Sequence, residues 1–141
     1  MITSGFFNPI HIGHINLIRE AKKLGDFLIV IVNNDDQVKI KGSMPFMSQD
    51  ERIKVIEALK YVDSVFLSID KDGTIAKSLE LIAKKYPGKL YFAKGGDRNS
   101  KNIPLQEKKV CYDFNIKIVN GVGGNKIQSS SRMINNILKI D

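Results

Sequence analysis

Only two histidines occur among the 141 residues, and both lie in one segment, Gly5-Phe6-Phe7-Asn8-Pro9-Ile10-His11-Ile12-Gly13-His14. An amphipathic stretch begins at Ile12, so the segment carries the chain from a first strand into a helix. Unpaired backbone N–H groups and the positive end of the helix dipole meet there. A spacing of three residues at a helix start puts His11 and His14 on one side, and Gly13 between them lets an anion approach the backbone. Two imidazoles so arranged can donate hydrogen bonds to a phosphoryl oxygen as charge builds on it. A purely structural alternative has one histidine capping the helix while the other packs under Phe6 or Phe7. A metal site is the third possibility, and a poor one, since no cysteine or acidic residue accompanies the pair in this segment.

Three further segments carry residues of the same character. In Val38-Lys39-Ile40-Lys41-Gly42, read as extended, Lys39 and Lys41 point to one side and could jointly hold phosphate oxygens; two solvated lysines are the plainer reading. Ala93-Lys94-Gly95-Gly96-Asp97-Arg98 has paired glycines that allow the backbone to run beside a flat base or ribose. Asp97 there is equally suited to capping a helix, and Arg98, with Asn99 and Asn102, could reach an acceptor phosphate or the base. Gln128-Ser129-Ser130-Ser131-Arg132 opens the last helix after a glycine-rich stretch, Gly121-Val122-Gly123-Gly124. Hydroxyls and free N–H groups at a helix start make an anion site, and Ser129 or Ser130 could also serve simply as a cap.

The elements that must hold these segments are readable from periodicity. Met1 to Ser4 is a strand and Ile12 to Leu24 a helix; Phe27 to Val32 is continuously apolar and β-branched, as a central parallel strand covered on both faces should be. Ser48 caps a helix through Leu59, with Glu51 three residues on in capping-box position and Ile53, Ile56 and Leu59 on one face. Val65 to Ile69 is a strand, Ile75 to Tyr86 a helix stopped by Pro87-Gly88, and Leu90 to Ala93 a strand. A helix over 104–114, a strand from Ile116 to Val119 and a helix from Ser130 to Leu138 complete the chain. This alternation points to an α/β protein: one domain over residues 1–141, an open parallel sheet of five strands with helices on both faces. Ligands of such sheets bind beyond the carboxyl ends of the strands, where the strand order reverses, and the segments described above leave those ends.

A net charge of +7 invites a polyanion reading. The lysine pairs (Lys22-Lys23, Lys84-Lys85, Lys108-Lys109) are scattered over helical stretches, however, and no nucleic-acid-binding motif accompanies them. Nucleotides and sugar phosphates are the expected partners, with neither nucleic acid nor membrane. No apolar run approaches the ~18 to 20 residues that cross a bilayer, and the N-terminus lacks the layout of a secretory signal, so a cytoplasmic protein is expected. The single cysteine, Cys111, has no metal-ligand spacing and reads as a buried, inert thiol.

The segment from Gly5 to His14 resembles the His-x-Gly-His signature of the cytidylyltransferase-like nucleotidyltransferases, the superfamily of glycerol-3-phosphate cytidylyltransferase and heptose-1-phosphate and phosphopantetheine adenylyltransferases. Leu24-Gly25-Asp26, Lys39 to Gly42, Glu51-Arg52, Val62-Asp63 and Lys94-Gly95-Gly96-Asp97 follow in the order of the glycerol-phosphate and heptose-phosphate branches. The resemblance implies a Rossmann-like sheet of order 3-2-1-4-5 and transfer of a CMP or AMP group from CTP or ATP to a small phosphomonoester, with release of pyrophosphate. It casts His11, His14 and Lys41 as catalytic. Gly5, Phe6, Phe7, Gly13, Lys39, Gly95, Gly96, Asp97, Ser129, Ser130, Ser131 and Arg132 would meet the nucleotide. Asn8, Arg52 and Arg98 would meet the acceptor substrate, although Arg52 could instead be an exposed partner of Glu51 or a neighbouring helix acid. Asn8 stands where many relatives carry Asp; an amide is neither acid nor base, so it orients the loop or the substrate. Mg²⁺ is expected on the triphosphate, with no metal site of the protein's own, and a homodimer is implied. Cytidylyl transfer is slightly preferred, adenylyl transfer of the heptose-phosphate type is the alternative, and a non-catalytic nucleotide- or RNA-binding module is the rival of another class.

Overall fold

The structure, a computed structural model, describes residues 1–96, 102–124 and 129–139, without the Ser131 side chain. In chain order the elements are β1 (Ile2–Gly5), α1 (Ile12–Lys23), β2 (Ile29–Val32), α2 (Asp35–Ile40), α3 (Gln49–Glu57) and β3 (Ser64–Leu67). They continue with α4 (Ala76–Lys85), β4 (Leu90–Gly95), α5 (Leu105–Asp113), β5 (Ile116–Val122) and α6 (Ser130–Leu138). The strands form one parallel sheet in the order β3-β2-β1-β4-β5, as expected.

Alternation along β2 builds the core on both faces. Val30 and Val32 point to the side of Ile18, Ala21 and Ile56, from α1 and α3, whereas Ile29 and Ile31 join Leu79, Ile82 and Cys111 from α4 and α5. Every residue of β2 is buried, which is why its sequence is apolar without a break. Burial first, and then the Glu107 carboxylate, push the Cys111 thiol up to about 11, in keeping with an inert thiol.

One segment departs from the expectation. Residues Val38 to Ile40 are not extended but form the end of helix α2, with Lys41 as its C-cap. The cause lies in the preceding residues: the Asn34 side chain accepts from Gln37 N–H at 2.9 Å, and Gln37 Oε1 accepts from Asn34 N–H at 3.1 Å. This is a reciprocal capping box, reinforced by Asp35 and Asp36 in the first turn. On a helix, residues two apart are rotated by about 200°, so Lys39 and Lys41 cannot share a side. Among the described residues no helix is long and apolar enough to cross a membrane.

Candidate functional site

A cleft of about 540 Å³ opens over the carboxyl ends of β1, β2 and β4, where the strand order reverses. Its centre is the segment from β1 to α1. His11 is the N-cap of α1; its Nδ1 accepts from Gly13 N–H at 3.1 Å. His14, three residues on, returns the contact, its Nδ1 accepting from His11 N–H at 3.2 Å. The two rings stack, with centroids 3.8 Å apart and planes 24° from parallel. Both line the cleft. Since each Nδ1 is an acceptor, each neutral ring carries its proton on Nε2. Capping, foreseen for one histidine, therefore involves both, and the bonds that cap the helix also set the tautomer of the two rings.

The same loop is held from beneath. Phe7 has φ of +51°, a conformation that bulky residues rarely take, and its ring is buried against His14, with ring centroids 4.9 Å apart and planes 71° from parallel. It supports His14 and does not line the cleft, so the structure shows a packing role for its ring. Gly5 makes room for that ring, since a Cβ there would lie 2.8 Å from Phe7 Cζ.

For Arg52 the alternative of an exposed side chain is overturned. The residue is neither exposed nor directed at solvent: its side chain is fully buried. Nη1 donates to the carbonyls of Phe6 at 2.7 Å and Asn33 at 2.6 Å, Nε donates to Met47 O at 3.2 Å, and Nη2 pairs with Asp35 Oδ1 at 2.7 Å. With four of its five N–H donors engaged, the guanidinium knots the histidine loop to the residues that follow β2 and precede α3. Asn8 works in the same way. Its Nδ2 donates to Met44 O and its Oδ1 accepts from Phe46 N–H, so of its two expected roles the structure shows the loop-orienting one.

Of the lysine pair, Lys41 lines the cleft with its Nζ 4.4 Å from the centre of the Phe6 ring, while Lys39 is exposed and lies outside the lining because α2 turns it away. Gly5, Phe6, Gly13, Gly95 and Gly96 also line the cleft, as do Ser129 and Ser130 from the start of α6. Ser129 caps that helix by accepting from Arg132 N–H at 3.0 Å, and Ser130 Oγ donates to Pro9 O at 2.8 Å, joining the helix to the histidine loop. Arg132 is exposed and outside the lining. Gly123 sits so close to α1 that a Cβ would lie 3.0 Å from Leu17 N. Asp97, Arg98 and the Ser131 side chain lie outside the described residues.

Two of the lining residues to which the sequence reading gave no role, Lys94 in β4 and Glu107 on α5, form an ion pair at 3.1 Å. Glu107 sits in an otherwise ordinary helical stretch thirteen positions further along, and no local spacing signals the pairing.

The arrangement offers imidazole N–H groups, a lysine, glycine backbone and two helix starts around one crevice, a set suited to binding and polarising phosphoryl groups. Residues 2–135 match the family model described as cytidylyltransferase-like. The chain belongs to this family of nucleotidyltransferases. The nucleotidyltransferase is 38% identical over 120 residues to the FAD synthase of Pyrococcus abyssi, covering 84% of this chain and 77% of that protein. It is 34% identical over 126 residues to the bifunctional protein HldE of Koribacter versatilis, covering 88% of this chain but 24% of that longer protein. Among solved structures it resembles the lipopolysaccharide core biosynthesis protein of Thermoplasma volcanium, with a TM-score of 0.69 and 27% identity over 89% of this chain and 96% of that one.

Proposed function

We propose that this nucleotidyltransferase moves an adenylyl group from ATP to the phosphate of a phosphomonoester, with FMN as the acceptor, and releases pyrophosphate. An acceptor phosphate oxygen attacks the α-phosphorus, a new P–O–P bridge forms, and the bond from the α-phosphorus to the bridging oxygen breaks with its electron pair leaving on pyrophosphate. No covalent enzyme intermediate is needed, and the protein contributes position and charge stabilisation.

One observation carries the reading: both imidazoles line the cleft at a helix start with Nδ1 committed to backbone N–H groups, which leaves Nε2 as the nitrogen that carries the proton. His11 and His14 would stabilise the crowded α-phosphoryl oxygens, Lys41 and the start of α6 the departing pyrophosphate. Mg²⁺ would arrive on the triphosphate, held by phosphate oxygens and water and neutralising their charge.

The choice of ATP over the CTP expected from sequence rests on the relatives. FAD joins FMN to an adenylyl group, so the name of the Pyrococcus abyssi protein favours an adenine donor and a flavin phosphate acceptor; neither of the other two similar proteins described with it carries glycerol phosphate in its name. The test is pyrophosphate release with Mg²⁺ and either ATP or CTP, against FMN, riboflavin, glycerol 3-phosphate and a sugar 1-phosphate. Turnover is expected with ATP and FMN and absent with riboflavin, which lacks the phosphate. Turnover only with CTP and glycerol 3-phosphate would reverse the donor and acceptor assignments. A rise in Tm with nucleotide but no pyrophosphate from any pair would instead favour a non-catalytic binding module.

A further inference from the structure

We propose that Lys94 is the cation that receives the acceptor's phosphate, and that Glu107 positions it; this rests on the phosphomonoester reading above. Among the ion pairs of the described residues, Lys94 and Glu107 alone have both side chains largely buried, at 12% and 5% exposure. Burying two opposite charges carries a large desolvation cost before their attraction is counted, and an apolar pair would often serve stability as well. Such a pair in the wall of a cleft is therefore a candidate for function. Its surroundings hold it firmly. The Lys94 ammonium lies 4.3 Å from the centre of the Phe92 ring, and the second oxygen of Glu107 accepts from Ile75 N–H at 3.2 Å.

Topology gives the pair its role. Ile2 of β1 is in register with Phe92 of β4, so Lys94, two residues on, stands beside the end of β1 from which the histidine loop departs. Adjacent strands are about 4.8 Å apart, which puts this lysine across the strand reversal from the imidazoles. The two sides of the sheet are not equivalent there. The α1 helix packs on one face, and the α6 start is tied to it through Ser130 and Pro9. Lys94 alternates with Ala93 of that face and points to the opposite one, toward α5. Helix starts attract the triphosphate, so the pyrophosphate leaves on the α1 and α6 side. In-line displacement requires the attacking oxygen to come from the other side of the phosphorus, which is the side of Lys94. There an ammonium would offset the repulsion between two phosphate groups brought into contact, while Glu107 keeps it from folding onto the phosphates of ATP.

The test is steady-state kinetics with ATP and FMN for Lys94→Met, Glu107→Gln and the double variant, each with a melting curve. Lys94→Met should raise the KM for FMN by about ten- to a hundredfold, the worth of one charge-assisted hydrogen bond, with the KM for ATP little changed. Since that variant leaves Glu107 buried without its partner, the double variant, with no buried charge, keeps the test open: it should melt close to the wild type and still show the raised KM for FMN. Glu107→Gln keeps an acceptor for Ile75 N–H and keeps the cation, so its KM for FMN should not rise to the level of Lys94→Met. A folded double variant with the wild-type KM for FMN, or equal losses in Lys94→Met and Glu107→Gln, would overturn the assignment. Failure of the underlying reading would show differently, as a wild-type enzyme that releases no pyrophosphate with any phosphomonoester.

Discussion

Replacing His11 with asparagine separates two tasks that one ring performs. Through Nδ1, His11 caps α1 by accepting from Gly13 N–H; in the proposed mechanism its Nε2 is the donor to a phosphoryl oxygen. Asparagine is among the best N-caps, and its Oδ1 lies where Nδ1 lies, but nothing in it reaches the position of Nε2. Alanine removes both groups. Losing an N-cap costs about 1 kcal/mol, which for a domain of this size lowers Tm by roughly 3–4 °C. Losing one donor to a developing oxyanion costs about 10² to 10³ in kcat. His11→Ala should therefore show both losses, and His11→Asn only the second, with Tm within about 1 °C of the wild type. Circular dichroism melting and coupled pyrophosphate detection read the two quantities separately. If His11→Asn kept kcat within about threefold of the wild type, the ring would be a cap and nothing more, and the phosphoryl role would have to pass elsewhere.

Other expectations follow from the buried contacts. Arg52→Met leaves the carbonyls of Phe6, Asn33 and Met47 without their donor and Asp35 without its partner; urea unfolding should show a loss of about 3–5 kcal/mol, and a loss near zero would contradict the knot described for it. Gly123→Ala puts a methyl 3.0 Å from Leu17 N at a φ of +89°, so about 1–3 kcal/mol should be lost in the same assay, or α1 must shift. The Lys22 ammonium and then Leu28 N–H hold the Asp63 carboxyl below its ordinary range. A lowered carboxylate pKa contributes stability above the unfolded value and loses it as pH falls through the folded one. Asp63→Asn should thus have a lower urea midpoint than the wild type at neutral pH, and the gap should close in acid; a gap independent of pH would refute the assignment of that stability to the carboxylate.

The sheet and the histidine loop were legible because their signals are local. A β-branched run buried on both faces needs no partner to be recognised, and two histidines with a glycine between them carry their spacing with them. Helix α2 was legible in principle: Asn34 followed three residues later by Gln37, with Asp35 and Asp36 between, is a capping box. The lysines after it drew the reading toward an extended loop instead. Arg52 was not legible, since an arginine beside a glutamate on a helix looks solvated, and only tertiary structure brings three carbonyls to it. Lys94 and Glu107 share that difficulty, because a strand end and a helix face meet through the fold and not through spacing.

These long-range contacts explain how a loop with an unfavourable backbone keeps its shape. A bulky residue at φ of +51° costs about 1–3 kcal/mol and persists only where its surroundings over-determine it. Around Phe7 they do: Arg52 takes the carbonyl just before it, Asn8 is fastened on both amide atoms to residues 44–46, and Gly5 leaves room for the ring. The neighbouring loops are joined by the fully buried Gln37, whose Nε2 donates to the carbonyls of Asp72 and Thr74 while its Oε1 accepts from Asn33 and Asn34. Among the described residues no buried side-chain nitrogen or oxygen lacks a partner, so loosening any one member exposes the others to desolvation cost. In the proposed mechanism, which holds two phosphates in line with no covalent step to share the barrier, that rigidity is what keeps the contacts to substrate in place.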